Sequence, residues 1–191
     1  MKPNRGPRLV AGLVALVALG ACGGDGGGAP GSQETTTGGT GCATTVTLTL
    51  EADRGPIDST FEARGGGAYV DPNGEFHVVF GDQPFELAGQ QPDDLVTVAM
   101  QVPLQGAAPA ATTYTSADDG LNLDVSRNEA EGSITSSFGL EGTGDEVSME
   151  ITELGDDFLC ATVLAASNPE TGGALDLSGT IEVPYGDFAD L

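Results

Sequence analysis

The sequence predicts an all-β protein: a single antiparallel β-sandwich or barrel-like domain of about 8–10 strands, behind a short apolar leader and a glycine-rich tether. Three observations predict it. Apolar residues recur at every second position through most of residues 42–191, the spacing that sends alternate side chains to opposite faces of a strand. The alternating runs are short and are separated by clusters of Gly, Asp, Asn and Pro, which favour tight turns. No long segment repeats its apolar residues with the 3.6 period of an amphipathic helix.

Along the chain, Val46, Leu48 and Leu50 alternate with Thr45, Thr47, Thr49 and Glu51. Weaker runs lie near residues 59–63 and 68–71, the second ending at the turn Asp71-Pro72-Asn73-Gly74. Phe76, Val78 and Phe80 alternate with His77 and Val79 and stop at Gly81-Asp82. Val96, Val98, Met100 and Val102 alternate with Thr97, Ala99 and Gln101. Pro103 to Asp119 has no period and is the longest irregular stretch, with Tyr114 its one large side chain. Leu121, Leu123 and Val125 then alternate with Asn122, Asp124 and Ser126, while Ile134, Phe138 and Leu140 share a face. Val147, Met149 and Ile151 alternate with Ser148, Glu150 and Thr152 up to the turn Gly155-Asp156-Asp157. Phe158, Cys160, Thr162 and Leu164 line one face of a more apolar run, and Leu175, Leu177, Ile181 and Val183 form the last. A unit of this size buries a sizeable core. The Thr, Ser and acidic positions between the apolar ones leave one face of each sheet to water.

Residues 1–8 hold Lys2, Arg5 and Arg8 and no acid, and Leu9 to Ala21 is wholly Leu, Val, Ala and Gly. This is the layout of a secretory signal. A helix of that length rises about 20 Å, short of a hydrocarbon core of about 30 Å. Leu19-Gly20-Ala21-Cys22 resembles the lipobox of bacterial lipoproteins. The resemblance implies a signal peptide over 1–21, cleavage before Cys22, and a diacylglyceryl group on that thiol. Two acyl chains give the stable anchoring that one does not. Residues 22–41 then form a Gly/Thr-rich tether with a reach of about 24 Å, and 42–191 the acidic β-domain. In layout the chain resembles small β-rich bacterial lipoproteins of uncharacterised function.

The chain carries 29 acids and six Lys and Arg, a formal charge of −23. Three of those cations lie in the leader, so Arg54, Arg64 and Arg127 alone remain beyond Cys22. Such a field repels nucleic acid and anionic headgroups and attracts basic proteins, polyamines and, weakly, divalent cations. Its first reading is solvation. With Cys22 lipidated, Cys42 and Cys160 are the remaining thiols, and an extracytoplasmic setting favours their pairing as a disulfide. No C-x-x-C occurs and His77 is the sole histidine, so a cysteine-based zinc site lacks ligands.

Catalytic signatures are missing. His77 sits opposite Phe76, Val78 and Phe80, on a solvent-facing or loop-covered face, and no G-x-S-x-G accompanies it. Lysine is absent beyond Lys2, which removes a Ser-Lys mechanism. No pair of carboxylates stands out for glycoside hydrolysis, and tryptophan, the common sugar-stacking ring, is absent. Asp71-x-Asn73-x-Glu75 has the opening spacing of a calcium loop, but Pro72 and Gly74 favour a β-turn and the EF-hand spacing does not follow. Asp93-Asp94, Asp118-Asp119 and Asp156-Asp157 read as acidic turn tips. Gly65-Gly66-Gly67 reads as a bulge or strand bend, since no helix or lysine follows to make a phosphate loop. No metal and no cofactor is expected. The contact surface, if any, is expected in the 103–119 loop around Tyr114.

The expected function is therefore a non-enzymatic binding or structural module, lipid-anchored through Cys22 at the cell envelope and facing an extracytoplasmic protein or envelope component. Its rivals are a carboxylate-dependent hydrolase, which needs a deep acid-lined cleft, and a carrier holding an apolar ligand inside a hollow barrel.

Overall fold

A computed structural model describes residues 42–51, 56–129, 132–139, 144–167 and 174–191. The expected leader, Cys22 and the tether lie outside these residues. The alternating runs become eleven strands: β1 (Thr45–Leu50), β2 (Ile57–Glu62), β3 (Gly65–Val70), β4 (Glu75–Gly81), β5 (Val96–Pro103), β6 (Thr113–Thr115), β7 (Asn122–Glu129), β8 (Gly132–Phe138), β9 (Glu146–Leu154), β10 (Phe158–Ala166) and β11 (Leu175–Pro184). A 3-10 turn, Phe188–Asp190, follows.

The strands make two antiparallel sheets, ordered β2-β1-β11-β10-β9-β6 and β3-β4-β5-β7-β8. Of the two expected options, the sandwich is the one formed: each sheet ends in edge strands, β2 and β6 in one, β3 and β8 in the other. The chain changes sheets within two residues, where Ala63 N–H donates to Thr44 C=O and Arg64 N–H to Gly81 C=O. At the far end of β11, Gly186 N–H donates to Ala68 C=O, tying the last strand to the second sheet.

The inner faces meet in one apolar core. Val46, Leu48, Phe76, Val78, Phe80, Val98, Met100, Leu123, Met149, Val163 and Ile181 are all fully buried. Among the described residues no charged or polar side chain is buried there. This is period-two sequence turned into burial, since every second residue of β1, β4 and β5 points inward.

Three expectations change. The 103–119 segment is not wholly irregular: it contains β6, which adds to the edge of β9 through Thr113↔Glu150, Tyr114↔Met149 and Thr115↔Ser148. The glycine triplet makes no bulge, because β3 pairs with β4 in unbroken register from Gly65↔Gly81 to Val70↔Phe76. Its special residue is Gly66, at φ +106°, where a Cβ would sit 2.0 Å from the Val79 carbonyl oxygen. The register shift lies elsewhere, between β9 and β10 at Cys160/Ala161. Finally, Phe158, Cys160, Thr162 and Leu164 do share a face, but it is the outward one; Leu159, Ala161, Val163 and Ala165 fill the core.

Candidate functional site

The outward face of β10 creates the most distinctive surface feature. Cross-strand register places Leu164 opposite both Ser148 of β9 and Ser178 of β11. The next outward row is Glu146, Ala166 and Asp176. Serine and alanine are too short to cover a leucine between them, so Leu164 stands 51% exposed. A lone exposed aliphatic side chain is ordinary on a protein surface; this one forms the apolar floor of a groove.

A wall rises beside this floor from β6 and the turn after it. Ser116 hydroxyl donates to the Asp145 carbonyl at 3.1 Å and accepts from Val147 N–H at 3.2 Å, fixing the turn to the start of β9. Asp119 carboxylate accepts from Thr115 N–H at 2.8 Å, and Asp118 N–H donates to the Thr115 hydroxyl at 3.1 Å. The floor and wall enclose a groove of about 530 Å³, lined by Leu164 and Ala166 below and by Thr115, Ser116, Asp118 and Asp176 around them.

Electrostatics set what the groove can hold. Asp118, Asp145, Glu146 and Asp176 border it, and among the described residues no lysine or arginine does. The two described arginines sit elsewhere beside glutamates: Arg64 lies 3.5 Å from Glu62, and Arg127 lies 2.9 Å from Glu129. An apolar floor inside an acidic rim accepts a ligand that is itself apolar in the middle and cationic at its ends.

The expected site residues fall as follows. Cys42 and Cys160 form a disulfide with Cα atoms 6.2 Å apart, across 118 residues of sequence. Cys42 N–H also donates to the Glu182 carboxylate at 3.3 Å. A bond of this kind persists in oxidising, extracytoplasmic compartments. Tyr114 is not an exposed contact residue. Its side chain is 7% exposed. Its ring lies 6.4 Å from that of Phe76, and its hydroxyl accepts from Ala110 N–H at 3.1 Å. A tyrosine in a short edge strand buries its ring because β6 continues the alternation of β9, with Tyr114 opposite the fully buried Met149. Thr115 to Asp118 of the same segment line the groove wall. His77 is on the outward face of β4 as expected, half-buried against Tyr69. Asp71-x-Asn73-x-Glu75 is the expected turn, closed by Gly74 N–H to Asp71 C=O at 3.0 Å with Gly74 at φ +83°.

Leu164 was the residue sequence reasoning missed. Both faces of β10 are apolar enough to be inner, and only the pairing with two serines shows which is out.

Compared with protein-family models, curated proteins and solved structures, the chain matches none. Among the described residues no helix is long and apolar enough to cross a membrane.

Proposed function

We propose that this protein is an extracytoplasmic, non-enzymatic binding module, held at the cell envelope by lipid on Cys22, whose β6–β9–β10–β11 groove takes a basic, partly apolar peptide segment of a partner protein. The observation that carries this reading is Leu164, exposed in a groove that four acids and, among the described residues, no base border. The chain's formal charge of −23 favours the same class of partner and would speed its approach. The disulfide supports the extracytoplasmic setting.

The groove is tested with a labelled peptide alternating lysine with leucine, followed by fluorescence anisotropy at near-physiological salt. Covering the exposed half of a leucine is worth about 1 kcal/mol, so Leu164→Ala should weaken binding about fivefold. A peptide of the same length and charge with serine in place of leucine should bind the unaltered protein about as weakly. Equal affinity in all three experiments would show mere charge attraction and overturn the reading. Stability should not change appreciably in the variant, because Leu164 contributes little to the core.

The anchor is tested separately. Cys22→Ser should move the protein from the membrane fraction to the soluble fraction. Retention of the variant in the membrane with residues 1–21 removed would contradict lipid anchoring.

A further inference from the structure

The outer face of the other sheet carries a polar cluster that the groove does not use. Alternation puts Glu75 and His77 on one face of β4, and the turn at Asp71 folds that carboxylate back over them. Asp71 Oδ1 accepts from the N–H groups of Asn73 and Glu75 at 2.9 and 2.8 Å, and Oδ2 accepts from the Asn73 side-chain amide at 3.0 Å. Oδ2 also faces His77 Nε2, at 3.8 Å. Gln101, opposite His77 on β5, donates its amide to Glu75 Oε2.

His77 is the anomaly in this cluster. Its Nε2 is covered and has no hydrogen-bond partner. Buried polar atoms are nearly always paired, and an unpaired one calls for an explanation. The ring cannot easily turn away, because it stacks on Tyr69 at 4.8 Å with an interplanar angle of 8°, and Tyr69 is in turn backed by Phe188. The imidazole is thus held rigidly with an unpaired nitrogen towards a carboxylate too distant for a hydrogen bond.

We propose that Asp71, Glu75 and His77 form a binding site for a divalent transition-metal ion of the zinc class, with Nε2 and one oxygen of each carboxylate as ligands. The three ligand atoms lie within 4.8 Å of one another. Ligands of a tetrahedral zinc ion stand roughly 3.5 Å apart, so rotation of the two carboxylate side chains towards the fixed imidazole closes the site. One nitrogen and two oxygen donors suit zinc, whereas calcium takes six or more oxygens. Three protein ligands leave a fourth position for water or for a donor from a partner. The N–H of Glu75, and to a lesser degree the Asn73 donors, hold the Asp71 carboxyl below the usual carboxylate range, so its ligand oxygen is already ionised at neutral pH. The spacing 71, 75, 77 matches no sequence motif because the turn, not a helix or a single strand, brings the first residue back.

The sole histidine makes the test direct. The untagged protein is titrated with zinc chloride at neutral pH while the imidazole nitrogens are followed by long-range proton–nitrogen NMR. The Nε2 resonance should move and saturate at one equivalent, and calcium chloride at the same concentration should leave it unmoved. By calorimetry, His77→Gln should abolish the one-equivalent zinc event. Asp71→Asn, which keeps an acceptor for the turn N–H groups, should weaken it at least tenfold, as should Glu75→Gln, which leaves the turn untouched. An imidazole signal that does not move, or drifts without saturating, would overturn the proposal. So would a saturable zinc event of unchanged affinity in His77→Gln or in both carboxylate variants.

Discussion

Replacing Cys42 and Cys160 together with alanine should lower the free energy of unfolding by about 4–5 kcal/mol on the chain-entropy account of cross-links. The bond closes a loop of 118 residues in sequence separation, most of the β-domain. Its removal frees an unfolded chain that was tightly constrained, while the folded state loses few contacts, since Cys160 is not part of the main core cluster. The bond also fixes the start of β1's lead-in to β10, near the sheet centre. Urea unfolding monitored by far-UV circular dichroism measures the change. A loss below about 1 kcal/mol would mean that the bond does not constrain the unfolded chain as its span requires.

Phe76→Ala should cost about 3–5 kcal/mol, the range for emptying a fully buried aromatic site. Phe76 has no exposed surface and projects from β4 towards the opposite sheet. Its ring lies 6.4 Å from that of Tyr114 on β6 and 6.4 Å edge-on from that of Tyr185 after β11. Its ring therefore packs against β6 of the other sheet and against the segment that follows β11. Because β6 is only three residues long and its ring contact is with Phe76, the loss should be felt in the groove wall. Hydrogen exchange should show the amides of Tyr114 and Ser116 opening more readily than those of β10. A cost below about 1.5 kcal/mol, or unchanged exchange at β6, would contradict this packing account.

Much of this fold is legible in the sequence for a simple reason. Where one face of a strand is apolar and the other is Thr, Ser or acid, as in β1 and β9, burial follows the alternation with no ambiguity. Legibility fails where that contrast disappears. In β10 both phases are apolar, so sequence identifies the strand but not its inner face, and packing selects Ala161 and Ala165 for the interior. In β6 three residues are too few to show a period, and pairing with β9 creates the strand. Tyr114 follows from this: an aromatic ring in an apparently open loop looks like a contact residue, but adding β6 to the sheet turns it inward. Both polar assemblies depend on register across strands or on a turn. The row Ser148, Leu164, Ser178 draws on three strands, and the Asp71, Glu75, His77 cluster closes only when the chain reverses at Gly74. No local window of sequence contains the first; the second lies within seven residues, but nothing in their spacing tells that the turn brings the Asp71 carboxylate round to face His77.

In the proposed reading the groove over Leu164, rather than the acidic surface at large, is where a basic partner docks. Backbone amide shifts of the isotope-labelled protein during titration with the lysine–leucine peptide test this most directly. Saturable shifts are expected, concentrated at Ser116, Ser148, Leu164, Ala166 and Ser178, with little change at the equally acidic turn around Asp156 and Asp157. Shifts spread evenly over the acidic turns, or centred away from β10, would contradict it.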